Sequence, residues 1–158
     1  MYERILIPLD SSKVGEAAVP VIEELVTKLK PEHKVEVTLL QVITSTTYWV
    51  VAGEASAPVQ YTEKEMGIIK RNASEYLEKA GESLKSKGAI VKTMVRVGNA
   101  AEEIDKATQE INADLIDMST NGRSGLSRLA FGSVTAKVLR ICRVPVLTVR
   151  AKSGTVNK

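Results

Sequence analysis

Histidine and cysteine each occur once in these 158 residues, and that scarcity removes whole classes of chemistry at the outset. A lone Cys142 cannot close a disulfide within the chain, and metal centres built on His and Cys clusters need several ligands of those types. Aromatic residues make up only 4% of the composition, too few for a platform on which bases would stack. The formal net charge is +3, and the surplus of Lys and Arg is spread along the chain, so nucleic-acid binding is not expected. No apolar run approaches the ~20 residues that span a bilayer, and no membrane partner is expected. Met1 leads straight into Arg4-Ile5-Leu6-Ile7 without a secretory leader, which makes the cytoplasm the expected location.

What is present is ordinary for a globular chain: 44% hydrophobic and 26% charged residues, enough length for one domain with a proper core. Ile5 to Leu9 is a short continuous apolar run, the pattern of a strand covered on both faces in a parallel sheet. Ser11 or Ser12 is placed to cap a helix reaching about Lys30, with Pro20 kinking it or marking a late regular start. Val35 to Ile43 reads as a second strand, and Val91 to Val97, with one β-branched and one partly charged face, as an edge strand. Asp114 to Ser119 and Val146 to Arg150 supply a fourth and a fifth. Helical spacing runs from Met66 to Leu84 with a stop at Gly88. Asn99 and Glu102 have the spacing of a capping box before Ile104, Ala107 and Ile111, and Ser133 is placed to cap a helix ending near Cys142. The alternation predicts a doubly wound α/β fold, with helices on both faces of a parallel five-stranded sheet. Residues 1–150 are expected to form the domain and 151–158 a polar, flexible tail.

In such a fold, ligands sit outside the carboxyl ends of the strands. That criterion selects Asp10, Val42, Gly98 and the segment from Ser119 to Ser133. Within the segment, Gly122 and Gly125 allow amide groups to converge on an anion, and Gly132-Ser133 opens a helix whose free N–H groups favour phosphate. Ser133 and Thr135 add hydroxyl donors. Read alone, the glycines serve a tight turn as well as a phosphate site. Neither GxGxxG after the first strand nor GxxxxGK[ST] occurs. A phosphoryl-accepting regulator of similar topology would need an acidic cluster at these strand ends, and only Asp10 stands there.

The spacing Ser119, Thr120-Asn121, Gly122, nine residues, Gly132, Ser133 resembles the Gly-x2-Gly-x9-Gly-Ser/Thr pattern of universal stress proteins. Ile5 to Asp10, Leu40-Gln41-Val42, Gly98, Ala113 to Ile116 and Arg143 to Leu147 extend the resemblance over roughly residues 2–150. The resemblance implies an adenine nucleotide alpha hydrolase-like fold with strand order 3-2-1-4-5. By likeness to ATP-binding members, Pro8, Leu9 and Asp10 would contact the nucleotide, Asp10 on its ribose or phosphate side. Val42 would line the adenine pocket. Met118, Ser119, Asn121 and Gly122 would pass along the ribose and phosphates, and Gly132, Ser133, Val134 and Thr135 would hold the phosphates. The implied ligand is ATP, ADP or AMP, with Mg²⁺ held by the phosphates, and the implied assembly a homodimer through Val146–Arg150. Ser119 replaces the first glycine of the pattern, and Asn121 and Gln41 stand where histidines are frequent. With no evident general base the expected activity is sensing, with slow hydrolysis at most. A dimeric interaction module that binds no nucleotide is the alternative.

Four features carry separate expectations. The stretch Thr44 to Tyr61 reads as a long irregular loop, with Tyr48 and Trp49 at a tip packed on the domain's own surface, a lid over the pocket or a partner contact being the alternative. Asp117, inside the apolar Leu115-Ile116-Asp117-Met118, needs a buried partner, and Thr148 on the neighbouring strand is the expected one. Cys142 is expected to sit quietly at a helix end, with a thiol lowered by Arg140 and Arg143 as the alternative. Arg123 and Arg128 either neutralise phosphate or remain solvated.

Overall fold

The structure, a computed structural model, describes residues 2–29, 33–120 and 132–151. Strand β1 (Arg4–Pro8) leads through a single 3-10 turn (Gly15–Ala18) into α1 (Val19–Lys28). Then follow β2 (Glu36–Ile43), the pair β3 (Thr47–Ala52) and β4 (Ala55–Gln60), α2 (Glu63–Ala80), α3 (Glu82–Ser86) and β5 (Ile90–Val97). The chain continues as α4 (Ala100–Glu110), β6 (Leu115–Thr120), α5 (Ser133–Ile141) and β7 (Val146–Arg150). The main sheet has the order β5-β2-β1-β6-β7, and its neighbours all run parallel. Counted over these five strands alone, that is the expected 3-2-1-4-5, with β5 at one edge.

Strand periodicity divides the core in two. Ile5, Ile7 and Leu9 of the first strand and its end, with Val37 and Leu39 of β2, face Ala18, Ile22, Leu77 and Leu84 from the 3-10 turn, α1, α2 and α3. Their neighbours Leu6 and Leu40, with Ile116 and Met118, face Ala101, Ile104 and Ala107 of α4 and Val138 of α5. A strand buried on both sides must be apolar at successive positions, which is why Ile5-Leu6-Ile7 is a continuous run with no exposure. At the base of the sheet Asp114 clamps β1 to β6. Its carboxylate accepts from the backbone N–H of Glu3 at 3.0 Å and of Arg4 at 3.1 Å.

Two helix boundaries differ from the sequence reading, and α1 takes the late regular start, one of the two alternatives for Pro20. Regular α-helix begins only at Val19, with Pro20 in the first turn, where its missing N–H costs nothing; Ser12 instead caps the 3-10 turn, its Oγ accepting from Gly15 N–H at 2.9 Å. Ser133 is the first residue of α5, and the cap position falls on Gly132, which makes no side-chain hydrogen bond. The segment expected as one helix from Met66 to Leu84 is interrupted at Gly81, where a Cβ would lie 2.8 Å from Val91 Cγ1. The Asn99 cap is as expected, its Oδ1 accepting from Glu102 N–H at 3.3 Å. Helix α2 opens on a reciprocal box. Thr62 Oγ1 accepts from Glu65 N–H at 3.2 Å, and Thr62 N–H donates to Glu65 Oε2 at 2.7 Å. Thr62→Ala is expected to cost about 1 kcal/mol, read from the midpoint of a urea denaturation.

The segment Thr44 to Tyr61 is not an irregular loop. β3 and β4 pair antiparallel around Gly53-Glu54, with Gly53 at φ +65°, the geometry a two-residue turn with glycine first requires. Thr, Tyr, Trp and Val at successive positions favour a strand, and the Gly-X pair between two such runs was the signal for a hairpin. Trp49 is not packed on the domain: it is 66% exposed on β3, and Tyr48 lies against Tyr61 with ring centroids 5.0 Å apart.

Candidate functional site

Residues that leave the sheet at its carboxyl edge enclose a cavity of about 430 Å³. Pro8, Leu9 and Asp10 enter it from the end of β1, Val42 from β2, and Met118 and Ser119 from β6. Gly132, Ser133, Val134 and Thr135 enter from the start of α5. Parallel strands of similar length end together, and the crossovers lead away on both faces, so a cleft is left between β1 and β6. Asn121 and Gly122 lie outside the described residues, as do Arg123 and Arg128. Gly98 lies in an adjoining groove with Asn99 and Lys137. Its φ of +148° and a Cβ position 3.1 Å from Glu103 Cγ account for glycine there, as a sharp turn from β5 into α4.

The turn after β1 forms one wall and is held by a relay of hydrogen bonds. Gly15 N–H donates to Ser12 Oγ at 2.9 Å, and Ser12 Oγ–H donates to Asp10 Oδ1 at 2.5 Å. The same carboxylate oxygen accepts from Ser12 N–H at 3.0 Å. Asp10 is therefore both a turn-former and a cavity residue. Ser11, at φ +63°, receives Gln41 Nε2 on its hydroxyl at 3.0 Å. Ser119 donates its hydroxyl proton to the Val14 carbonyl, tying the turn to β6. That proton is committed within the protein, so Ser119 is a strut of the wall where the motif glycine would leave bare backbone.

The opposite wall is the N-terminus of α5. Among the described residues no side chain caps it, and nothing lies within 4 Å of the position a Gly132 Cβ would take. The first N–H groups of this nine-residue helix therefore face the cavity with the positive end of the helix dipole. Val14, Gly15, Gln41, Thr44, Ala100 and Ile104 also line the cavity. Apart from Gln41, these were not singled out from the sequence. They are brought in by the crossovers, and the only local signal was Gly15, which has to be small because a Cβ there would lie 2.5 Å from Asp10 Oδ1.

On β6 sits Asp117, with no solvent exposure and, among the described residues, no hydrogen-bond partner for either carboxylate oxygen. The expected contact with Thr148 is absent. Asp117 is in register with Leu147, and Thr148 with Met118. Residues in register share a face. Met118 faces α4 and α5, so Thr148 does too, and Asp117 projects to the α1 side with Leu115. Burial pushes the Asp117 carboxyl up to about 7. Cys142 sits quietly at the end of α5, as expected, and the alternative of a thiol lowered by Arg140 and Arg143 does not hold: burial first, then the hydrogen bond and charge of Asp105, raise the thiol to about 12.

The family model of the universal stress protein family matches residues 1–150. The chain belongs to the universal stress protein family. Universal stress protein MJ0577 of Methanocaldococcus jannaschii is 30% identical over 98% of both chains. Its solved structure superposes with a TM-score of 0.73, at 28% identity over 98% of this chain and 99% of that one. A universal stress protein solved in complex with cAMP gives 0.63 at 19% identity, covering 94% of this chain and 97% of its own. The Archaeoglobus fulgidus universal stress protein in complex with dAMP gives 0.59 at 18%, covering 93% and 97%. These last two are likenesses of fold. Among the described residues of this family member, no helix is long and apolar enough to cross a membrane.

Proposed function

We propose that this universal stress protein binds an adenine nucleotide, ATP in the first instance, in the cavity at the carboxyl edge, and that occupancy changes the surface it presents to partners. The observation that carries the reading is the uncapped N-terminus of α5, at Gly132 and Ser133, facing a cavity whose other wall is Asp10 and Val42. Orphan N–H groups at a helix start need acceptors, and phosphate oxygens suit them. Val42, Leu40 and Ile104 offer an apolar surface to a base. Two neighbours of the same fold are complexes with cAMP and dAMP, which supports an adenine nucleotide as the ligand class.

Gly132, Ser133, Val134 and Thr135 hold the phosphates, Asp10 meets the ribose or phosphate side, and Met118 and Ser119 border the ribose. Asn121 and Gly122 complete the loop in this reading. Mg²⁺ is held by the phosphates: among the described residues no group of three or more His, Cys, Asp or Glu gathers to hold a metal. Asp10 is the one acidic side chain on the described cavity wall, and one of its oxygens is occupied by Ser12, so hydrolysis is slow at most. Residues 1–150 act as the working domain of a cytoplasmic protein. A homodimer forms through β7, an edge strand whose Leu147 is 39% exposed.

Titration calorimetry with ATP and Mg²⁺ tests the reading, together with Gly132→Val. The valine would project into space that no described residue fills at the helix start, and its expected cost is at least tenfold in affinity, about 1.4 kcal/mol. If the wild-type protein gives no heat and releases no nucleotide on denaturation, the cavity does not serve a nucleotide. An interaction module of the same fold then takes its place, a reading favoured by the Ser119 side chain standing where the motif has glycine.

A further inference from the structure

The hairpin β3–β4 concentrates exposed apolar surface. Five of the twelve large hydrophobic side chains exposed among the described residues belong to it: Tyr48, Trp49, Val50, Val51 and Val59. Trp49 and Val51 are 66% and 71% exposed, and the two strands form a sheet of their own, separate from the main one. A lone two-stranded hairpin is marginally stable in water, so this one is an element suited to being completed by further pairing.

Its two outer edges are not equivalent. Tyr61 N–H donates to the Thr46 carbonyl at 2.9 Å, which sets the phase of the ladder. Tyr48–Val59, Val50–Ala57 and Ala52–Ala55 are then the hydrogen-bonded pairs, and Thr47–Gln60, Trp49–Pro58 and Val51–Ser56 the non-bonded ones. Pro58 consequently turns its nitrogen, which has no proton, to the outer edge of β4 and interrupts that edge. The outer edge of β3 presents the N–H and C=O groups of Thr47, Trp49 and Val51 without a proline, a lysine or a bulge to block pairing.

We propose that the outer edge of β3 pairs antiparallel with β3 of a second copy of this chain about a two-fold axis, joining two hairpins into a four-stranded sheet. The occupant follows from charge and symmetry. A two-fold brings a strand against its own sequence, so a charged strand repels itself. Thr47–Ala52 carries no charge, and Glu54, the one charged residue between Thr44 and Thr62, sits at the turn. A nucleic acid or an anionic membrane would be met by cations, and this segment has none. The contact is small. Aromatic side chains bury roughly 150–250 Å² each, so two copies of Trp49 remove roughly 300–500 Å² and Val51 adds to it, the size of a weak association that forms at high concentration. The pairing uses residues distinct from β7 and does not depend on nucleotide binding.

Trp49 is the chain's only tryptophan, so its fluorescence reports on this hairpin alone. The full chain is followed from low micromolar to several hundred micromolar by emission, iodide quenching and sedimentation. Trp49 emission is expected to shift to the blue and its quenching constant to fall several-fold in step with the rise in mass. Val51→Lys, at an exposed position with no packing to lose, abolishes both changes. Val51→Pro also abolishes them while sparing the β3–β4 bonds, because the Val51 N–H lies on the outer edge. Quenching that is equal at all concentrations overturns the proposal. If mass rises while quenching stays constant, association runs through another surface, such as β7, and the hairpin interface is wrong. A blue shift that survives Val51→Lys overturns it as well.

Discussion

Asp117→Val is expected to stabilise the protein, and by an amount that grows with pH. In the folded chain the Asp117 carboxyl is buried with no partner among the described residues, and burial pushes it up to about 7 from the 3.8 of a free aspartate. Between those values the native state holds a proton that the unfolded state has released, so wild-type stability falls as pH rises through the window. The contribution is fully present below the unfolded pKa and lost above the folded one. The whole span is worth roughly 4 kcal/mol, of which about 2–3 kcal/mol falls between pH 5 and pH 8. Valine removes the titration and suits a buried strand position. Urea denaturation of both proteins at the two pH values checks this. Stability differences that are equal at pH 5 and pH 8 would show that the carboxyl is not neutral in the fold.

Gly15→Val is expected to weaken adenine nucleotide binding by roughly a hundredfold, about 2.7 kcal/mol. The β-carbon alone would fall 2.5 Å from Asp10 Oδ1 and 3.3 Å from Ser12 Oγ, so the relay Gly15–Ser12–Asp10 has to break. Asp10 then swings from its place on the cavity wall, and the Val14 carbonyl that anchors Ser119 shifts with the turn. Titration calorimetry of the variant beside the wild type, with the urea midpoint as a check on folding, measures the effect. An unchanged affinity with the fold intact would show that the turn after β1 does not contact the ligand, while leaving the α5 end of the site in place.

The fold was legible because its strands announce themselves. Ile5-Leu6-Ile7 has to be apolar at every position when helices cover both faces, and the part-charged Val91–Val97 has to lie at an edge. The glycine spacing from Ser119 to Ser133 placed a ligand-type loop after the fourth main-sheet strand. Much less legible was Thr44–Tyr61, where the change from strand to hairpin rests on one Gly-Glu pair within a polar setting, and length alone suggested irregular chain. Helix starts slipped by a few residues for a related reason. Several hydroxyl residues stood near each start, and which one caps depends on how the turn packs, as with Ser12 at the 3-10 turn and Gly132 ahead of Ser133.

Sequence alone determined the class of the fold and, by resemblance, the order of its main-sheet strands. These depend on period and spacing, which are local properties of the chain. Tertiary structure alone decided the partners. Thr148 and Asp117 occupy adjacent strands, yet a register offset of one residue sends them to opposite faces and leaves the carboxyl unpaired. Ser119, a departure from the motif on paper, became a strut to Val14 because the turn after β1 folds over β6. Cys142 stays quiet because burial and Asp105 both raise its thiol. Each outcome was set by which residues distant in the chain come within a few ångströms, and spacing along one sequence carries no record of that distance.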